Sequence, residues 1–193
     1  MLMVENDQEA VEADLRAGRF HCPSCGTGVL ARWGFASKRV LRDGQEFRPR
    51  RGICRACAKA HVLLVELCLL RRRDPAAAIG AALEAVVAER QPVEDVALDH
   101  GVPLETLRGW IQRLRRNAAA IRAHFGRWLG ALAPGRAPLE VRGSRSAQAL
   151  EAIGEAVRAA SVAIAIHPPW SWASRMSGGC LLSNTKSPWP SPD

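Results

Sequence analysis

The chain has 193 residues, a formal net charge of +8 and a hydrophobic fraction of 48%, which suits one medium globular domain or two small ones. Nowhere do about eighteen uncharged apolar residues run together, which excludes a membrane-spanning helix. The acidic N-terminus (Glu5, Asp7, Glu9, Glu12, Asp14) lacks the basic start and apolar run of an export signal. A cytoplasmic protein with reduced thiols is therefore expected, and the basic balance points to a polyanionic partner, nucleic acid first among them.

Residues 1–19 are expected as an acidic lead-in, loose or shortly helical. Residues 20–65 hold four of the six cysteines and suit strands and turns. Asp43-Gly44 between Val40-Leu41 and Glu46-Phe47 marks a hairpin, and His61–Val65 is a closing strand. Over 66–132, Asp74 caps a helix that Pro75 opens, with Ile79, Leu83, Val86 and Val87 as its apolar stripe. Pro92 opens a second helix, which Gly101 ends. A third runs from about Pro103, continuing or breaking near Asn117, through Ile121, Phe125, Trp128 and Leu129. Residues 133–145 suit a linker, and 146–166 a C-terminal helix with Leu150, Ile153, Val157 and Ile164 on one side. Residues 167–193, rich in Ser, Pro, Gly and Trp, are expected to stay disordered without a partner.

Cys22-Pro-Ser-Cys25-Gly26 and Cys54-Arg-Ala-Cys57 carry the first chemical signal. Four thiolates bind zinc tetrahedrally, and two intervening residues let a tight turn aim both sulfurs of a pair at one point. Gly26 permits the positive φ such a turn needs. The 28 residues between Cys25 and Cys54 exceed the usual spacing, leaving room for a hairpin and an excursion. One structural Zn2+ held by Cys22, Cys25, Cys54 and Cys57 in a zinc ribbon is expected, with no position open for an activated water. The competing reading, a redox Cys-x-x-Cys, lacks its βαβ context. His21 and His61 flank the site as alternative ligands or supporting groups. Cys68 suits the core, and Cys180 an unpaired tail thiol.

Between the pairs, Arg32, Lys38, Arg39, Arg42, Arg48, Arg50, Arg51, Arg55 and Lys59 face only Asp43 and Glu46, with Trp33 and Phe35 interleaved. Arg48, Arg50 and Arg51 are candidate phosphate contacts, and Trp33 is expected in the core. Further on, Val93–Gln112 fits a DNA-binding helix-turn-helix. Ala97 is small at the crossing, Gly101 sits in the turn, and Val102, Leu107, Trp110 and Ile111 lock the second helix onto the first. The outward residues Glu105, Thr106, Arg108, Gln112 and Arg113 would face the major groove. Arg108 suits guanine and Gln112 adenine, while Arg115 and Arg116 suit phosphates. The fold class is thus α+β: a small N-terminal β zinc ribbon, a mainly α-helical helix-turn-helix domain, and a helical or disordered C-terminal tail.

Residues 20–128 resemble a family of bacterial, largely actinobacterial proteins that pair a zinc ribbon with a helix-turn-helix. The likeness rests on the two cysteine motifs, Arg48-Pro-Arg-Arg-Gly-Ile-Cys54, His61-Val-Leu-Leu64 and Val102-Pro-Leu-Glu-Thr-Leu-Arg-Gly-Trp110. The same order occurs in DNA-recognition regions of transposases. The resemblance implies a DNA binder tied to a mobile element, with DNA and a transposase or other element protein as partners. After Trp128 the acidic residues are only Glu140, Glu151, Glu155 and Asp193, too few for a two-metal nuclease centre, so no catalytic role is expected. A transcriptional regulator acting as a homodimer and an adaptor for a transposase or ATPase remain the other readings.

Overall fold

The computed structural model describes residues 2–137, 139–163, 168–184 and 189. It is an α+β protein, and among these residues no helix is long and apolar enough to cross a membrane.

The N-terminal half is built on a four-stranded sheet. Strands β1 (Leu2–Val4), β2 (Leu30–Phe35), β5 (Arg50–Cys54) and β6 (Ala60–Val65) lie in the order β1-β6-β5-β2. β1 runs parallel to β6, and the other pairs are antiparallel. A separate hairpin, β3 (Arg39–Val40) with β4 (Glu46–Phe47), forms where Asp43-Gly44 predicts it. Gly44 takes φ +85°, and the Asp43 carboxylate accepts the Gln45 N–H at 3.0 Å, the local chemistry that closes such a turn.

Of the two expectations for the first nineteen residues, loose or shortly helical, the short helix forms, with a strand before it. β1 joins the sheet, and α1 (Gln8–Ala17) follows, capped by Asp7, which accepts from Glu9 N and Ala10 N, and stopped by Gly18 at φ +68°. Val11 and Leu15 of α1 pack with Val4, Leu30 and Leu63 beside Cys22 and Cys54. A second small cluster, Met3, Leu41, Leu64 and Cys68, seats the hairpin. Cys68 is buried as expected, and burial pushes its thiol up to about 11.

The helical half contains α2 (Ala76–Val87), α3 (Val93–Asp99), α4 (Leu104–Leu132), α5 (Arg145–Ala163) and α6 (Pro169–Met176). Asp74 does not cap α2. Its carboxylate instead pairs with Arg42 at 2.5 Å, tying the hairpin to the helices. α4 continues without a break at Asn117. Ile121, Phe125 and Leu129 are buried in one core with Leu150, Ile153 and Val157 of α5. Ile164, expected on the same stripe, lies outside the described residues.

Residues 168–184 overturn the expectation of a disordered tail. Trp170, Trp172, Ala173, Leu181 and Leu182 are buried in the main core. The physical reason lies in α2 and α5, whose buried faces are largely alanine and glycine. Such helices leave a deep groove that only large rings fill. Trp170 lies so close to Gly80 that a Cβ there would fall 2.0 Å from the indole, and its Nε1 donates to Glu84. Trp172 packs against Trp128 and Phe125. Polar contacts pin the segment too: Ser174 Oγ donates to Cys68 O at 2.6 Å, Arg72 to Leu182 O, and Asn117 to Leu181 O and Ser183 O. Cys180 is buried here, without a disulfide. The rest of the expected tail, residues 185–188 and 190–193, lies outside the described residues.

Candidate metal centre and candidate nucleic-acid interface

Cys22, Cys25, Cys54 and Cys57 converge, with all four sulfurs within 4.8 Å of one another. The two turns that present them are near copies. Cys22 O accepts from Gly26 N at 2.8 Å, and Cys54 O accepts from Ala58 N at 3.0 Å. Each closing residue has positive φ: +72° at Gly26 and +57° at Ala58. The first sulfur of each turn accepts backbone N–H bonds, Ser24 to Cys22, and Ala56 and Cys57 to Cys54, at 3.3–3.4 Å. Gly26 announced this turn in the sequence. Ala58, a non-glycine residue in the left-handed region, did not.

The 28-residue separation is spanned by β2, the β3–β4 hairpin and β5. Pairing of Leu30 with Cys54 at the end of β2–β5 brings the second turn against the first. Gly28 makes this approach possible: a Cβ there would lie 2.4 Å from Cys54 Sγ and 2.8 Å from Ala56 Cβ. Across the interface Cys22 faces Cys57 and Cys25 faces Cys54, each pair of sulfurs 3.7 Å apart. A tetrahedral ion with ~2.3 Å bonds to sulfur sets its ligands roughly 3.8 Å apart, so this donor set fits a single metal ion.

The thiols are tuned unequally. N–H groups of Gly28 and Thr27 bring Cys25 down to about 6 despite some burial. For Cys22, burial acts upward, but the N–H groups of Ser24 and Cys25 and the Cys57 thiol outweigh it and lower its pKa. The Lys59 N–H lowers Cys57, yet burial and the three neighbouring sulfurs outweigh it and push it up to about 11. Four sulfurs this close do not all carry charge without a cation among them. His61, buried on β6, holds Nε2 3.3 Å from Cys22 Sγ. Burial, followed by the N-terminal charge and Lys59, lowers its pKa, which keeps the ring neutral beside the four sulfurs. His21 is exposed and bridges backbone to Val29, outside the cluster.

The expected phosphate contacts around the sheet separate. Arg48 is exposed. Its Nε donates to Ala36 O, and its guanidinium lies 5.5 Å from the Phe35 ring centre. Arg50 turns inward with a side chain only 12% exposed, bound to Glu12 of α1 and stacked 4.4 Å over Phe35. Arg51 is half-buried with Nε enclosed. Trp33 is not core: it is 54% exposed.

On the helical side, Gly101 turns the chain between α3 and α4 at φ +60°, and Val102 N donates to Ala97 O at 3.0 Å. Ala97, Val102, Leu107, Trp110, Ile111 and Leu114 are buried, as their spacing predicts. Glu105, Arg108, Gln112, Arg115 and Arg116 are exposed, whereas Thr106 and Arg113 are half-buried. Arg108 is bridged to Glu105 at 2.8 Å and Glu94 at 3.0 Å, and the Glu105 bond is the first cause of its raised pKa. Arg113 folds back over Gly109 and donates to its carbonyl at 2.8 Å, filling the space that the small residue leaves. Arg116 donates to Asn184 at 2.5 Å. A cavity of about 700 Å3 between α4 and α5, with Arg122, Arg136 and Arg145 on its wall, involves none of these residues.

No protein-family model, curated protein or solved structure matches the chain.

Proposed function

We propose that this chain binds double-stranded DNA through a helix-turn-helix formed by α3 and α4, beside a zinc ribbon held by one structural Zn2+. The observation that carries the reading is the α3–α4 unit: its buried residues form the joint, while Arg108, Gln112 and Arg115 stand exposed along the first half of α4. A helix end so equipped suits the major groove, Arg108 and Gln112 for base edges and Arg115 and Arg116 for phosphates. Arg50 and Arg113, committed to internal partners, drop out of the contact set, and Arg48 stays in it. A closed tetrahedral shell of four thiolates suits zinc or iron, and zinc is the metal proposed because a structural site needs no redox-active ion.

The mobile-element setting, with a transposase partner, rests on the resemblance of residues 20–128 to zinc-ribbon and helix-turn-helix proteins. The decisive experiment is selection from random duplex DNA with the zinc-loaded protein, followed by anisotropy titration of the enriched site. Enrichment of a defined motif, lost on Arg108→Ala, supports the reading. Equal binding to every duplex, or to none at low salt, overturns it. Elemental analysis should find one zinc per chain, and iron in its place would overturn the metal assignment.

A further inference from the structure

β2 is the free edge of the sheet, and its pairing with β5 slips between Arg32 and Phe35. Gly34, at φ +92° with open space beside it, absorbs the bulge. Bulges at sheet edges re-aim side chains, and here Trp33 emerges at the sheet edge 54% exposed. Among the described residues its side chain makes no hydrogen bond, ring contact or cation–π contact, whereas Trp110, Trp170 and Trp172 are buried in the helical core. Holding an indole in water forfeits the area it would otherwise bury.

The sheet half that carries Trp33 is basic. Arg32, Lys38, Arg48, Arg55 and Lys59 are exposed on this half. Glu46 answers Lys38, and Glu12 lies 3.5 Å from Arg32. Phe35, two residues further along the strand, already carries Arg48 and Arg50 against its ring. Trp33 is thus an open indole on a basic half of the molecule. That composition suits a nucleobase between phosphates better than an apolar protein surface.

We infer that Trp33 is a stacking platform for an unpaired base in a single-stranded stretch of nucleic acid, with the exposed cations of the sheet half available to its phosphates. A base exposes its ring face only when it leaves the duplex stack, so this site and α4 take different parts of one partner: α4 the paired stretch, Trp33 a frayed or displaced strand. The inference rests on the proposed function only in taking DNA as the partner.

The test uses the full, metal-loaded chain at low salt with three probes: a single strand of about 20 nucleotides, the blunt duplex of the same sequence, and that duplex with an unpaired arm. Trp33→Ala should weaken binding to the single strand and the armed duplex about tenfold and leave the blunt duplex unchanged. Trp33→Phe should restore part of the loss. The single strand should quench tryptophan emission in the parent protein and not in Trp33→Phe. Paired substitution of Arg108 and Arg115 by Ala should do the reverse, losing the blunt duplex and keeping the single strand. The inference falls if Trp33→Ala binds the single strand like the parent, if quenching persists in Trp33→Phe, if all three probes weaken equally, or if the parent binds no single strand. Single-strand binding through Trp33 without any duplex binding would sustain it while sinking the α4 reading.

Discussion

Gly28 and Ala58 mark how little freedom the metal centre has. A methyl group at Gly28 would overlap Cys54 Sγ, so Gly28→Ala should lose its metal to a chelator at concentrations the parent withstands. Ala58 carries the positive φ that glycine carries at Gly26. Ala58→Gly should therefore retain the metal and relieve about 1 kcal/mol of backbone strain, measured by denaturant unfolding of the loaded protein. The thiols add a pH signature. Cys25, held down to about 6, is already ionised at pH 7, whereas Cys57, pushed up to about 11, is not. Metal uptake at pH 7 should thus release fewer than four protons per ion, which calorimetry in buffers of different ionisation enthalpy can count. In the metal-free chain the signs oppose. Cys25 stabilises the fold as pH rises from about 6 to its ordinary 9, and Cys57 destabilises it from there to about 11.

Among the elements, α4 and α6 show where sequence pattern suffices and where it fails. The apolar spacing from Val102 to Leu114 marked the buried side of α4 correctly, because a helix repeats every 3.6 residues whatever packs against it. The ion pair of Arg108 with Glu94 depends on where α3 crosses, and no local pattern reports that. If Arg108 reads a base, Arg108→Ala should weaken the selected site by ~1–3 kcal/mol and random DNA less. Glu94→Gln should strengthen binding by releasing the guanidinium, and both are measurable by anisotropy. α6 eluded the sequence because Ser, Pro and Gly around a few tryptophans have the composition of a disordered segment. The shallow Ala-rich faces of α2 and α5 give those rings their place. Trp170→Ala should cost ~3–5 kcal/mol of stability by denaturant titration. A value near zero would mean that the segment is not docked in solution. Trp33 was misplaced for a related reason: the sequence does not show that β2 is the free edge of the sheet, where its pairing slips at Gly34 and the indole is left exposed.

At the scale of the whole molecule, the sheet and the helices keep separate cores. They are joined by Arg42–Asp74, by Arg175 with Glu5, and by Ser174 on Cys68 O. Chelation should accordingly destabilise the sheet half, whose apolar cluster includes Cys22 and Cys54, and leave most helical ellipticity in place. Complete loss of the circular dichroism signal at helix wavelengths would show instead that the two halves fold as one unit. The two Cys-x-x-Cys pairs, the α+β division, the hairpin at Asp43-Gly44 and the α3–α4 joint were legible in the sequence, because each follows from short-range spacing and turn chemistry. Only the tertiary structure decided that the acidic N-terminus completes the sheet, that the C-terminal tryptophans complete the helical core, that Arg50 turns inward and that Trp33 turns out. Those outcomes depend on which distant surfaces are left unfilled once the local elements have formed, and spacing along the chain does not encode that volume.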